Sequence, residues 1–228
     1  MNNRDRIIVA LDLDQPDDAI HLARILSPVF PFFKVGMKLF TRAGPEFVKE
    51  ILKHGRVFLD LKFYDIPTIV SEAVSQAAAL GVSLLTVHAS GGSTMMNLCM
   101  EKLRPYNGAC RLLGVTVLTS FDSLAEIGVD RGITEQVQLL ASLAHSSGTD
   151  GIVCSPQELT GLRSKFVSPF LLVTPGIRGT GDAKGDQKRT AGAPDALKAG
   201  ADYVVIGRPV IAAADPVEAA ERIAMEIG

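Results

Sequence analysis

The stretch VFLDLKFYDIP, residues 57–67, begins as a buried β-strand and ends in charge. Asp60, Lys62 and Asp65 fall within six positions, and an isolated charge taken out of water costs several kcal/mol unless it is paired. The strand therefore runs out of the core into a polar cavity. Pro67 then suits the first turn of a helix, so the stretch reads as one strand, turn and helix unit. Apolar runs of the same kind recur at IIVAL (7–11), FFKV (32–35), LLTVH (84–88), LLGVTVL (112–118), GIVC (151–154), FLLVT (170–174) and YVVIG (203–207). With VFLDL (57–61) they make eight predicted strands. The segments between them carry helical periodicity, as in Val137, Leu140, Ala141 and Ala144, or Val217, Ala220, Ala224 and Ile227.

Strands that alternate with helices build a parallel sheet through right-handed crossovers. Eight strands in 228 residues leave about 28 residues per unit, the size of one βα repeat. The expected fold is an α/β (β/α)8 TIM barrel, one domain spanning residues 1–228. An open doubly wound sheet is the alternative, but it carries a glycine fingerprint after its first strand. Here that turn reads ALDLDQPDD (10–18), without glycine. Most runs finish on a polar or distinctive residue: Asp12, Lys34, Asp60 with Lys62, His88, Thr119, Ser155, Thr174 and Arg208. In a barrel these ends share the C-terminal rim, where the active sites of this architecture lie.

The overall charge is nearly balanced, 23 Lys and Arg against 25 Asp and Glu, which gives no electrostatic reason to expect nucleic acid or a membrane as partner. The N-terminal MNNRDRIIVALDLD lacks the pattern of a signal peptide, and no apolar run reaches the length of a membrane span. A cytoplasmic protein is expected. Cys99, Cys110 and Cys154 are odd in number and lack CxxC spacing, and His21, His54, His88 and His145 are scattered, so neither disulfides nor a metal site is expected.

Residues two apart on a strand face the same side, which points Asp60 and Lys62 together into the barrel mouth, with Lys34 of the preceding strand beside them. A structural ion-pair network would use the same residues. Flanking carboxylates favour the charged form of Lys62, which suits a proton donor, or a cation facing a carbanion, better than an imine-forming amine. Asp65 is either a helix cap or a site residue, and Asp12 either a turn residue or an acceptor for ligand hydroxyls. Near the C-terminus, YVVIGRPVI (203–211) places Gly207 and Arg208 at the start of a short helix, a phosphate-binding arrangement. The loop TPGIRGTGDAKGDQKRTAGAP (174–194) brings Arg178 and Gln187 from the neighbouring strand. The Met-rich TMMNLCMEKL (94–103) reads as core or subunit-interface packing.

Taken in order, IIVALD (7–12), FKVGMKLF (33–40), FLDLKFYDIP (58–67), VHASGG (87–92), VTVLTS (115–120), VTPGIR (173–178) and IGRPV (206–210) resemble the bacterial orotidine 5′-monophosphate decarboxylases over essentially the whole chain. The resemblance implies a homodimeric barrel that converts orotidine 5′-monophosphate to UMP and CO2 without cofactor or metal. It implies that Lys62 stabilises and protonates the C6 carbanion, that Asp60 faces the departing carboxylate, and that Asp65 serves the neighbouring subunit's site. Lys34 and Asp12 would hold ribose hydroxyls, and Thr119 would meet the pyrimidine. Gln187, Arg208 and the Gly207 amide would bind phosphate, with Arg178 and Pro175 on the closing 174–194 loop. One position departs: many members have threonine two residues after Asp-Ile-Pro, whereas this chain has Thr68 and then Ile69. Thr68 either substitutes for that hydroxyl or the contact is missing. Two other readings remain open. Magnesium-dependent relatives such as 3-hexulose-6-phosphate synthase share the DxKxxD cluster but follow its second aspartate with glycine-containing residues, not Ile66-Pro67. A silent phosphate-binding barrel would be expected to lack Asp60 or Lys62.

Overall fold

Ile7–Ala10 (β1) is buried at every position, the signature of a strand covered on both faces, as in parallel sheets. A computed structural model describes residues 2–177 and 191–228. Its other strands are Phe32–Gly36 (β2), Arg56–Phe63 (β3), Leu84–His88 (β4), Arg111–Val115 (β5), Gly151–Val153 (β6), Leu171–Thr174 (β7) and Tyr203–Ile206 (β8). All eight pair in parallel and in sequence order, and β1 closes the ring against β8 through Ile7 with Val204, Ile8 with Val205 and Val9 with Ile206. The (β/α)8 barrel expected from the spacing is present.

The connecting helices are Pro16–Leu26 (α1), Met37–Leu52 (α2), Pro67–Ala79 (α3), Gly92–Leu103 (α4), Ile133–Ser146 (α5), Leu159–Lys165 (α6), Ala193–Lys198 (α7), Arg208–Ile211 (α8) and Pro216–Ile227 (α9). Proline in the first turn opens α1, α3, α7, α8 and α9, where its missing N–H is not needed. Asp215 caps α9 by accepting from the Val217 and Glu218 amides. The faces read from periodicity are the buried ones, Val137, Leu140, Ala141 and Ala144 on α5 and Ala220, Ala224 and Ile227 on α9, except that Val217 in the first turn of α9 is only partly buried against the core. Met95 and Met96 of α4 are wholly buried, so the Met-rich stretch is core. No described helix is long and apolar enough to cross a membrane.

The period-2 alternation of each strand divides the core into two layers. Ile8, Ala10, Phe32, Phe58, Leu84, Leu113, Leu171, Val173, Tyr203 and Val205 fill the barrel, while Ile7, Val9, Phe33, Leu59, Leu85, Leu112, Leu172 and Val204 pack outward against the helices. This phase places the site. Two residues beyond Ala10, Phe32 and Phe58 on the same inward face come Asp12, Lys34 and Asp60. The apolar barrel filling gives way to charge at one level.

Two strand ends differ from the sequence expectation by more than one residue. LLGVTVL is strand only to Val115. Beyond it Thr116 still bonds the Val153 carbonyl at 2.9 Å through its hydroxyl, but Val117 and Leu118 turn into a cavity wall. β3, in contrast, continues to Phe63 through an irregular pairing with β4.

Candidate active site

A cavity of about 480 Å³ opens at the C-terminal ends of the strands. Asp12, Lys34, Asp60, Lys62, Thr119, Pro175, Gly207 and Arg208 line it, with an apolar wall from Val115, Val117, Leu118, Val153 and Val205 among others. Lys62 Nζ lies 2.7 Å from Asp60 Oδ2, and Lys34 Nζ stands 3.7 Å from the same oxygen and 3.1 Å from Asp12 Oδ1. Positive and negative groups thus alternate along one wall. The Asp60 and Lys34 side chains are only 11% and 12% exposed, against 53% for Asp12, so the inner members of the row lie largely away from water. With Arg208 added, these five charges leave one positive charge over, which favours an anionic ligand.

Burial alone would push the Asp60 carboxyl up, but the Lys62 and Lys34 charges, with hydrogen bonds from Lys62 and Thr86, outweigh it and hold the pKa below its ordinary value. Asp60 is therefore an anion at neutral pH. His88, at the end of β4, is pushed down by burial and by the Lys62 charge, against a smaller upward pull from Asp60. Its ring tilts against Tyr64 with centroids 5.5 Å apart.

The mouth is braced from outside the cavity. Lys38 donates to the Asp12 carbonyl and to Asp14 Oδ1, each at 3.1 Å, tying the loop after β1 to α2. Gly36 leaves room beside the charged row: a Cβ there would come within 3.1 Å of Lys34 Nζ and 3.2 Å of Asp12 Oδ1, so both side-chain ends would have to shift by a few tenths of an ångström. Sequence reading passed over Gly36, although its place two residues after Lys34 was a signal. It also passed over Thr86, the single polar residue inside the LLTV part of β4.

Three of the nine strand-end residues turn away from the cavity. Ser155 is wholly buried and completes a capping box with Glu158. Thr174, also wholly buried, donates to the Cys154 carbonyl at 2.8 Å. His88 is not among the residues lining the cavity. Local hydrogen bonds thus satisfy Ser155 and Thr174, whereas His88 packs its ring against Tyr64. Asp65 and Thr68 are exposed and also lie outside the cavity lining. The Asp65 carboxylate accepts from the adjacent Ile66 amide at 2.7 Å, and α3 has no side-chain cap, so the helix-cap reading of Asp65 is not what the structure shows. Arg178 and Gln187 fall outside the described residues. Cys99, Cys110 and Cys154 are buried and form no disulfide.

A closed parallel barrel with its charged residues at the C-terminal strand ends defines the class of (β/α)8 enzymes. Within that class, the chain belongs to the orotidine 5′-phosphate decarboxylase / HUMPS family, whose model matches residues 5–223. It is 51% identical over 216 residues to an orotidine 5′-phosphate decarboxylase of Vibrio campbellii, covering 92% of each chain. It is 47% identical over 230 residues to one of Trichlorobacter lovleyi, covering 98% of this chain and 95% of the relative. A crystal structure of orotidine 5′-phosphate decarboxylase from Lactobacillus acidophilus superposes with a TM-score of 0.82 at 38% identity, covering 97% of this chain and 98% of that one.

Proposed function

We propose that this chain converts orotidine 5′-monophosphate to UMP and CO2 in de novo pyrimidine synthesis, in the cytoplasm and without metal or cofactor. The observation that carries the reading is the Lys62 ammonium, held 2.7 Å from Asp60 on the wall of the cavity. In this reaction the bond from C6 to the carboxylate breaks and leaves its electron pair on C6, an sp2 carbanion with little resonance stabilisation. An adjacent ammonium stabilises that charge and then supplies the proton that C6 takes up. The neutral amine left behind recovers a proton from water.

Asp60, an anion beside Lys62, faces the departing carboxylate. Asp12 and Lys34 hold ribose hydroxyls, and Thr119 and Pro175 bound the pyrimidine. Gly207 and Arg208 take the phosphate, joined by Arg178 and Gln187. One electrostatic contact of the Lys62 kind is worth about 3–4 kcal/mol, whereas enzymes lower barriers by roughly 8–23 kcal/mol. Lys62 alone is too little. Binding energy from the phosphate and ribose, spent on holding the charged row in register with C6, supplies the rest.

The working unit in this reading is a homodimer in which Asp65 and Thr68 reach the partner's cavity. Supporting it, Tyr64, Ile66 and Ile69 beside them are 63%, 62% and 55% exposed, an apolar strip that a second copy would cover. The family also includes the sugar-phosphate branch, but the similarity to decarboxylases at about half identity and Ile66-Pro67 after the second aspartate favour decarboxylation. The test is the ultraviolet absorbance of orotidine 5′-monophosphate mixed with EDTA-treated protein. Conversion to UMP is expected; no conversion overturns the reading.

A further inference from the structure

We infer that Thr86, on β4, is a positioning residue that aims the Asp60 carboxylate and holds the backbone of Lys62. It touches no substrate, being wholly buried and outside the cavity lining. The case begins with strand register. β3 and β4 pair at Leu59 with Leu85 and next at Phe63 with Val87. Residues 60, 61 and 62 therefore stand opposite Thr86 alone. Such a bulge re-aims side chains at the cost of regular pairing, and here it puts Lys62 at φ 50, a left-handed conformation that a residue with a side chain holds only when its surroundings impose it.

Two hydrogen bonds to one hydroxyl do the imposing. The Lys62 amide is 2.9 Å from Thr86 Oγ1, and that oxygen is 3.0 Å from Asp60 Oδ1. An amide N–H can only donate, and an ionised carboxylate can only accept. The Thr86 hydroxyl thus accepts from Lys62 and commits its one hydrogen to Asp60. With Oδ1 held, Oδ2 faces both ammonium groups, Lys62 at 2.7 Å and Lys34 at 3.7 Å. The Lys62 amide, the Thr86 hydroxyl, the Asp60 carboxylate and the Lys62 ammonium close a ring that begins and ends on one residue. Leu84 and Thr86 share the inward face of β4, as Phe58 and Asp60 share that of β3, so the hydroxyl lies directly beneath the charged row.

The inference rests on the decarboxylase reading for its kinetic arm only. Thr86→Val keeps the shape and removes the hydroxyl. Its kcat for orotidine 5′-monophosphate should fall by about 10–100-fold, the usual consequence of losing a hydrogen bond to a charged group, while KM changes far less and Thr86→Ser restores kcat. A folded Val variant with wild-type kcat overturns the inference. Where the Val variant does not fold, Thr86→Ser against Thr86→Ala differs by one oxygen and gives the same comparison. The second arm needs no turnover. In 13C-labelled free protein the Asp60 carboxyl, faced also by Lys62, Lys34 and His88, should titrate at higher pH in the Val variant, or in the Ala variant against Ser. An unmoved midpoint overturns the inference whatever the kinetics. If the wild-type chain fails to decarboxylate, the functional reading falls and this arm still decides the role of Thr86.

Discussion

Asp60 and Lys62 stand two residues apart on one strand, yet their charged ends meet at 2.7 Å across a bulge. A regular strand would keep their Cα atoms roughly 6.5 Å apart with parallel side chains. Asp60 also stands 3.7 Å from Lys34, so one carboxylate holds together two ammonium groups that would otherwise repel. The row is a set of mutually dependent charges, and removing one member alters the rest.

Lys62→Ala removes the proposed proton donor and leaves Arg208 and Gly207, which also line the cavity, unchanged. Turnover of orotidine 5′-monophosphate should fall by at least about 10²–10³-fold, the loss typical of deleting one preorganised electrostatic contact. UMP binding, followed by calorimetry, should persist. Near-normal turnover would sink the assignment of Lys62.

The same variant has a consequence for His88. The Lys62 charge helps to hold the His88 pKa down, whereas Asp60 pulls it up, so in Lys62→Ala the imidazole should titrate at higher pH. Proton NMR of the ring reads this directly, and an unchanged or lower midpoint would contradict the geometry. In the wild type the native ring takes its proton less readily than the unfolded chain does, so unfolding binds protons as pH falls through the ordinary value of 6.5. On this account His88 costs stability below that pH and none above it.

Burial pushes the Cys99 and Cys110 thiols up to about 12, and the thiolate is the reactive form. Native protein incubated with iodoacetamide at pH 8 should leave both unmodified, as judged by peptide mass mapping. Urea-unfolded protein should be modified at both. Labelling of either in the folded state at a rate like that of an unfolded peptide would contradict their packing.

Gly151 of β6 is paired with Leu171 of β7, and a Cβ on it would stand 2.3 Å from the Leu171 carbonyl oxygen. Backbone cannot rotate aside as a side chain can. Gly151→Ala should therefore destabilise the fold by about 1–3 kcal/mol, the common cost of overpacking a core. Urea denaturation checks this, and an unchanged midpoint would refute it.

All eight strands could be read from the sequence because parallel strands are buried on both faces and appear as unbroken apolar runs. Their inward phase was equally readable, since Asp60 and Lys34 keep step with Phe58 and Phe32. The bulge at Lys62 was not, because a positive φ leaves a mark only where glycine or asparagine occupies it, and here a lysine does. Thr86 was hidden for a related reason: a β-branched residue in a strand looks like packing until its hydroxyl is seen between two charges. Val117 misled in the other direction. It is apolar and β-branched, but it serves a cavity wall rather than a strand. Ser155 and Thr174 sit at strand ends like the site residues, and only their local partners show that they belong to the scaffold.

Because Ile7, Ile8 and Val9 pair with Val204, Val205 and Ile206, a chain emerging from the ribosome carries its first strand through almost the whole of translation before its last partner exists. Until then the growing sheet has two open edges, each a row of unpaired amides and carbonyls able to join a neighbouring nascent chain. Asp12 and Arg208 lie just past those two strands, so the place where ligand hydroxyls and phosphate would be held comes together only when the seam shuts. The same event that removes the sticky edges also completes the cavity, and an unfinished chain can have neither a protected sheet nor a working site.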